Sequence, residues 1–262
     1  MAHSLVIVRS VMVLVIVVAF VGWFAVLSDQ TDRMKTSAQQ GMMWLRSYSG
    51  TYGNPGVLWV LTDINERYCK SEAFSQELTD RFVSSSPTPV EQAYFLGFSD
   101  SNNFRVFEGK MEAYDRWLLS ALACKIRSLP VGVEQELLAE DQGTGYDLTH
   151  RYLGLSYLEG LQCLAGEKHW KARELRTEAA RSLYEAARAE SFTFSDLAVE
   201  RAAFLLWGGH GSYVTHDWID TIMRNQNEDG GWGASPGATI SNPHTTALAV
   251  WTLVQTTHAC PL

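Results

Sequence analysis

The sequence has no run of Lys or Arg, no Cys-x-x-Cys pair and almost no β-strand signal. Its 29 Asp and Glu outnumber its 21 Lys and Arg, and the formal net charge is -8. An acidic surface repels phosphate groups, so we expect no nucleic-acid partner. The P-loop, Gly-x-Ser-x-Gly and dinucleotide-binding patterns are also missing from the sequence, which argues against the enzyme classes that carry them.

One long apolar stretch is present, at residues 5–27, and only Arg9, Ser10 and Gly22 interrupt it. As a helix it is long enough to cross the roughly 30 Å of hydrocarbon in a bilayer. The sequence therefore predicts a transmembrane anchor at residues 1–29, and a cleaved signal peptide is the alternative. Because the amino terminus and Arg9 lie before the uninterrupted part of this stretch, residues 11–27, we expect the N-terminus in the cytoplasm and the body, residues 30–262, in the periplasm or a lumen.

Helical periodicity recurs through the body, whereas period-2 alternation and Asn-Gly hairpins are missing. The body is therefore predicted to be all-α. The predicted helices span residues 33–48, 57–70, 73–84, 90–98, 105–128, 146–164, 168–190, 195–207, 216–227 and 244–257. Loops rich in Gly, Pro and Ser separate several of them.

These helices are of two kinds. Residues 168–190 carry a charged stripe beside an apolar one, whereas residues 152–158 and 247–253 are apolar almost all round. Alternation of the two kinds predicts an outer layer of amphipathic helices around an inner layer. Paired along the chain, the segments would form about five helical hairpins.

Residues 226–233, Gln-Asn-Glu-Asp-Gly-Gly-Trp-Gly, follow a predicted helix. They resemble the Q-x3-G-x-W turn (QW motif) of the terpene cyclase and protein prenyltransferase α/α-toroid superfamily. The resemblance implies an α/α-toroid in which the Gln caps backbone groups and the Trp packs beneath the turn. His244 is similar in position to a zinc-binding His of prenyltransferase β subunits. The D-x-D-D acid motif and the D-x-C zinc motif of the superfamily are both missing here.

In such a toroid the inner helices point their N-termini at one face, where polar side chains converge. Asp147 and His150 begin one inner helix and lie three residues apart, a spacing that lets both reach one ion. With His244 they form a two-His, one-carboxylate set suited to Zn or another divalent first-row metal. The alternative is that these residues cap helices and hold no metal.

Two further residues are candidate proton carriers, namely Glu66 on the first inner helix and His210 in a Gly-rich loop. In an oxidising compartment the four cysteines permit one or two disulfides. In the toroid that the resemblance implies, Cys69 and Cys260 follow the first and last inner helices. Ring closure would make them neighbours, which predicts a Cys69–Cys260 bridge and leaves Cys124 and Cys163 as buried thiols.

Since the acid motif of the superfamily is absent, the sequence favours a non-catalytic binding or assembly subunit that docks on a membrane-protein partner. A metal-dependent enzyme with Asp147, His150 and His244 as ligands and Glu66 or His210 as acid or base is the first alternative. An isoprenoid- or lipid-binding protein is the second.

Overall fold

The structure is a computed structural model that describes residues 28–48, 54–84, 113–125, 128–141 and 143–262. All regular secondary structure in these residues is helical, apart from an isolated antiparallel bridge between Gln226 and Trp232. The prediction of an all-α body is therefore confirmed for the described part of the chain.

Ten α-helices lie in the described residues. A π-helical turn, Asn65–Cys69, continues the second helix, and a 3₁₀ turn, Gly211–Tyr213, precedes the ninth. The helices are α1 (residues 28–47), α2 (Pro55–Ile64), α3 (Glu72–Ser84), α4 (Ala113–Ala123), α5 (Val131–Leu137), α6 (Gly145–Gly160), α7 (Glu167–Ala189), α8 (Asp196–Trp207), α9 (His216–Arg224) and α10 (Pro243–Thr257).

Most predicted helices agree with the structure to within a few residues. The predicted helix at 90–98 lies outside the described residues, and only the part of 105–128 around α4 is described. The helix α5 was not predicted. It has seven residues and buries only Val133 and Leu137, so its apolar periodicity is too short to detect in the sequence.

Four helices are buried on most of their circumference: α2, α6, α8 and α10. Every residue from Thr245 to Gln255 of α10 is buried, whereas α3 buries only Phe74, Leu78 and Phe82. The helices α1, α3, α7 and α9 are amphipathic and lie on the outside. Helix α10 packs between α2 and α8, and α6 packs against α8. The predicted division into outer and inner helices is thus observed.

Aromatic rings fill the space between the buried helices. The ring centroids of Trp59 and Trp251 are 4.8 Å apart, and that of Phe204 is 5.9 Å from Trp59. At one end of this cluster the buried Asp63 carboxylate accepts hydrogen bonds from the indole N–H groups of Trp207 (3.1 Å) and Trp251 (2.8 Å). These rings and the Asp63 carboxylate join α2, α8 and α10 in one packed cluster.

The four buried helices have their N-termini on one side, which we call the N-terminal face. Tyr146 at the start of α6 donates a hydrogen bond to Asp196 at the start of α8, with 2.8 Å between the oxygens. Asp196 in turn contacts His244 at the start of α10. A Cβ placed on Gly56, at the start of α2, would lie 3.6 Å from the His244 ring. The opposite side is called the C-terminal face.

The outer helices run the other way, so they begin at the C-terminal face. In the first half of α7, Arg176 donates to the carbonyl of Gly208, which follows α8. At the end of α7, Glu190 pairs with Arg201 in the first half of α8. Helix α1 runs parallel to α9, because Gln30 near its start donates to Asp220 of α9.

Two disulfides link the described cysteines. Cys69 bonds to Cys260, with 4.9 Å between their Cα atoms, so the predicted bridge is confirmed. Cys124 bonds to Cys163, which makes the prediction of two buried thiols wrong. The reason is that α4 packs along α6, and this packing brings the residues that follow the two helices within bonding distance.

The predicted anchor falls almost entirely on residues 1–27, which lie outside the described residues. Among the described residues, no helix combines the length and the apolarity needed to cross a bilayer. The anchor at residues 1–29 stays a prediction.

We expect replacement of both Cys69 and Cys260 by Ser to lower the free energy of unfolding by about 2–4 kcal/mol. The bridge closes a loop across 191 residues of sequence separation and restricts the unfolded chain. Urea unfolding followed by circular dichroism measures the change. The Cys124→Ser, Cys163→Ser double variant, whose bridge spans 39 residues, is the control and should lose less. An equal or larger loss in the control would contradict the loop-length argument.

Candidate functional site

Helix capping places two polar side chains at the N-terminal face. Ser195 caps α8, since its hydroxyl accepts a hydrogen bond from the Ala198 N–H at 3.1 Å, and Asp196 follows it. Asn242 caps α10 and accepts from the N–H groups of His244 (2.9 Å) and Thr245 (3.1 Å). The caps fix where each helix begins and therefore where Asp196 and His244 lie.

Asp196 accepts three side-chain hydrogen bonds. The donors are His244 Nδ1 at 3.0 Å, the Thr245 hydroxyl at 2.5 Å and the Tyr146 hydroxyl at 2.8 Å. Burial alone would raise the pKa of Asp196, but these hydrogen bonds and the neighbouring His244 lower it below its usual value. The carboxylate is therefore charged at neutral pH and holds the imidazole in place.

Glu200 lies one helical turn further along α8 and is completely buried. Its Oε1 accepts a hydrogen bond from the Thr149 hydroxyl of α6. Its Oε2 is also buried but has no hydrogen-bond partner, and it lies 3.8 Å from His244 Nε2. Burial raises the pKa of Glu200, although His150 and His244 nearby oppose this.

His244 presents one ring nitrogen to each acid. Because Nδ1 donates to Asp196, the neutral ring carries its lone pair on Nε2, which faces Glu200. About a third of the side chain, 32%, is exposed, so the site is reachable from solvent. Burial lowers the pKa of His244, but Asp196 and Glu200 raise it by more, so that the pKa lies above its usual value.

This arrangement suits a divalent first-row metal. Asp196, Glu200 and His244 each offer a ligand atom, and the three atoms lie within 4.8 Å of one another. Two ligands of a tetrahedral zinc ion lie about 3.3 Å apart, so Glu200 Oε2 and His244 Nε2 need move only slightly to bind one ion. Asp196 would then orient the ligating His, as carboxylates behind metal-bound imidazoles commonly do.

The structure brings together only part of the predicted metal set. His150 lies beside the cluster: its Nδ1 is 3.8 Å from Glu200 Oε1 and hydrogen-bonds the Tyr146 carbonyl at 2.7 Å. Asp147 is exposed on the first turn of α6 and does not join Asp196, Glu200 and His244. In this part of α6 the buried side chain is that of Thr149.

Sequence reasoning did not select Glu200. A signal was present, because Glu200 stands within Leu-Ala-Val-Glu-Arg-Ala-Ala-Phe-Leu-Leu, a segment otherwise rich in apolar residues. A carboxylate inside a buried helix must be neutralised or bound by a partner.

Glu66 and His210 lie at the C-terminal face and do not contact this cluster. Glu66 is exposed in the π-helical turn after α2. His210 follows α8, and its Nδ1 is 2.8 Å from the Tyr152 hydroxyl. Burial, with the neighbouring Arg176, lowers the pKa of His210. Neither residue is placed to act on a ligand held by Glu200 and His244.

In the metal-free protein we expect His244 to titrate above its usual pKa of 6.5, and Asp196→Asn to lower that pKa by removing the facing charge. The stabilisation from the raised pKa is complete below pH 6.5 and is lost as the pH rises through the folded value. NMR titration of the imidazole signals measures both values. Asp217→Asn, an exposed carboxylate at the start of α9, is the control and should leave His244 unchanged. A His244 pKa below 6.5 would contradict the geometry.

No family model, curated protein or solved structure matches this chain. The resemblance of residues 226–233 to the α/α-toroid superfamily therefore stays a prediction. In that turn Gln226 Nε2 donates to the Ser37 and Gly230 carbonyls, and the Trp232 ring is fully buried.

Proposed function

We propose that this chain is a membrane-tethered, extracytoplasmic α/α-toroid-like protein that binds a divalent first-row metal ion at its N-terminal face, through Glu200 and His244. The observation that carries the proposal is the buried Glu200 Oε2, which has no hydrogen-bond partner and faces His244 Nε2 at 3.8 Å. The exposed edge of His244 provides a path for the ion.

The buried Glu200 Oε2 has no hydrogen-bond partner, and this carries an energetic cost. Leaving a buried acceptor without a partner costs about 1–3 kcal/mol, and more for a charged group. Protonated His244 does not remove this cost, because 3.8 Å is too long for a hydrogen bond. An ion between the two atoms would satisfy both the carboxylate and the imidazole lone pair.

The location is supported by the two disulfides, Cys69–Cys260 and Cys124–Cys163. Disulfides persist in oxidising compartments and are rare in the cytosol. This agrees with the predicted orientation of the apolar stretch at residues 5–27, which places the body outside the cytoplasm. The toroid assignment is supported by the buried parallel helices and by the turn around Trp232.

With two protein ligands, the ion would keep positions open for water or for an anionic ligand, and it would supply Lewis-acid chemistry when bound. The protein's part is to orient: Asp196 fixes the His244 ring, and Thr149 fixes Glu200 through Oε1. Tyr146, 44% exposed, lies over Asp196 at the rim and is the side chain that a further ligand would meet.

The second candidate is the binding or assembly subunit favoured by the sequence. A cleft of about 560 Å³ between α1 and α9 favours it, because α1 follows the predicted anchor and a membrane-protein partner would reach this side first. Both signs of charge line the cleft, including Asp32, Arg33 and Asp220. In this function the side chains at the N-terminal face cap helices and hold no ion.

We expect the purified protein to bind about one equivalent of Zn²⁺, and His244→Ala and Glu200→Gln to abolish this binding. Asp196→Asn should weaken it about 10- to 100-fold, since Asp196 orients the ligand without supplying the main bond. Isothermal titration calorimetry with chelator-treated protein measures the affinities.

The matched control is Asp147→Asn, which removes an exposed carboxylate from the first turn of α6 and should leave the affinity unchanged. Equal weakening by this control would indicate non-specific binding to the acidic surface. Wild-type protein that binds no Zn²⁺, Co²⁺ or Mn²⁺ would overturn the metal proposal and favour the assembly function.

A further inference from the structure

The C-terminal face carries an exposed aromatic side chain with cations beside it, although the chain as a whole is acidic. Trp170, in the first turn of α7, is 63% exposed. The Arg173 guanidinium carbon lies 6.0 Å from its ring, and Lys171 is exposed beside it. Glu167 and Glu174, one turn before and one turn after Trp170, are exposed as well. The exposed indole, with an apolar ring and a polar N–H, suits contact with an interface.

The direction of the outer helices places this surface on the side where the predicted anchor joins. Outer helices begin at the C-terminal face, and both α1 and α7 are outer helices. Residue 28 of α1 directly follows the apolar stretch 5–27. The anchor would therefore enter the body at the same face that exposes Trp170.

The two points lie at different edges of that face. Helix α7 packs against α6 and α8, whereas α1 lies beside α9. A span at α1 alone leaves the body free to tilt about a single attachment. A second contact at α7 would hold the whole face against the membrane.

From this placement we propose that the C-terminal face rests on the bilayer, with Trp170 among the lipid headgroups and Lys171 and Arg173 against anionic lipid phosphates. This inference depends on the membrane tether of the proposed function and not on its metal site. Trp prefers the bilayer interface because its ring is apolar and its N–H is polar. Lys and Arg near the surface are each attracted to anionic lipid by about 1 kcal/mol.

Other exposed residues of the same face include one cation, one apolar residue and one acid. Lys70 is exposed after the π-helical turn, Leu262 at the end of the chain is 44% exposed, and Glu66 is the exposed acid. The Cys69–Cys260 bridge holds Lys70 and Leu262 close together. The Glu200 and His244 site lies on the opposite face, so this orientation directs it toward the aqueous compartment.

The test uses the full chain in nanodiscs of phosphatidylcholine, alone or mixed with phosphatidylglycerol, with and without brominated acyl chains. Subtracting the emission of Trp170→Phe from that of the wild type isolates the emission of Trp170. The emission of Trp23 in the predicted anchor cancels, because both proteins contain that residue. We expect the difference emission to shift to the blue in nanodiscs and to be quenched by brominated lipid. Phosphatidylglycerol should increase this quenching.

Charge is tested by the Lys171→Gln, Arg173→Gln double variant, which should remove the effect of phosphatidylglycerol. Arg188→Gln, an exposed cation at the far end of the same helix, is the control and should keep it. Difference emission that bromolipid leaves unchanged, in protein that does co-elute with nanodiscs, would overturn the inference. Protein that fails to enter nanodiscs would instead overturn the membrane tether and with it this inference, whereas the metal site is tested separately by the Zn²⁺ titration.

Discussion

The parallel packing of α2, α6, α8 and α10 is the constraint on which the rest of this structure depends. Because these helices are apolar on most faces, they lower their free energy by surrounding one another and leaving the surface to amphipathic partners. In the described connections, α7 between α6 and α8 and α9 between α8 and α10 return the chain to the same side. Four helix starts therefore meet at one face, and the polar residues that begin those helices become neighbours without being close in sequence.

Two carboxylates are buried in the part of the chain that the structure describes, and they differ in how their oxygens are paired. Asp63 accepts hydrogen bonds from Trp207 and Trp251 and pairs with Arg67 at 2.8 Å, so both its oxygens have partners. Glu200 has a hydrogen-bond partner for Oε1 and none for Oε2. Packing alone explains a carboxylate with a full set of donors. The unpaired oxygen of Glu200 beside His244 is the reason that we propose a ligand there.

The predictions from sequence were most accurate where long periodic segments carried the signal. Helices such as α7, α8 and α10 were placed within a residue or two, because their patterns of apolar residues extend over several turns. The approach of His150 and His244 to one site also follows from the expected layering. Asp147 was selected by its spacing from His150, but a three-residue spacing leaves open which way that helix face turns. Thr149 faces Glu200 because α6 packs against α8 through that side.

The helical class, the outer and inner helices and the acidic charge follow from the sequence, since each depends on composition or on periodicity along one segment. The sequence also predicted the membrane segment at residues 5–27 and the Cys69–Cys260 bridge. The packing of the helices was needed to show which side chains meet at the N-terminal face, that Cys124 bonds to Cys163, and that Glu66 and His210 lie on the opposite face. These outcomes depend on the rotation of each helix against its neighbours, which is set by the packing of many side chains at once.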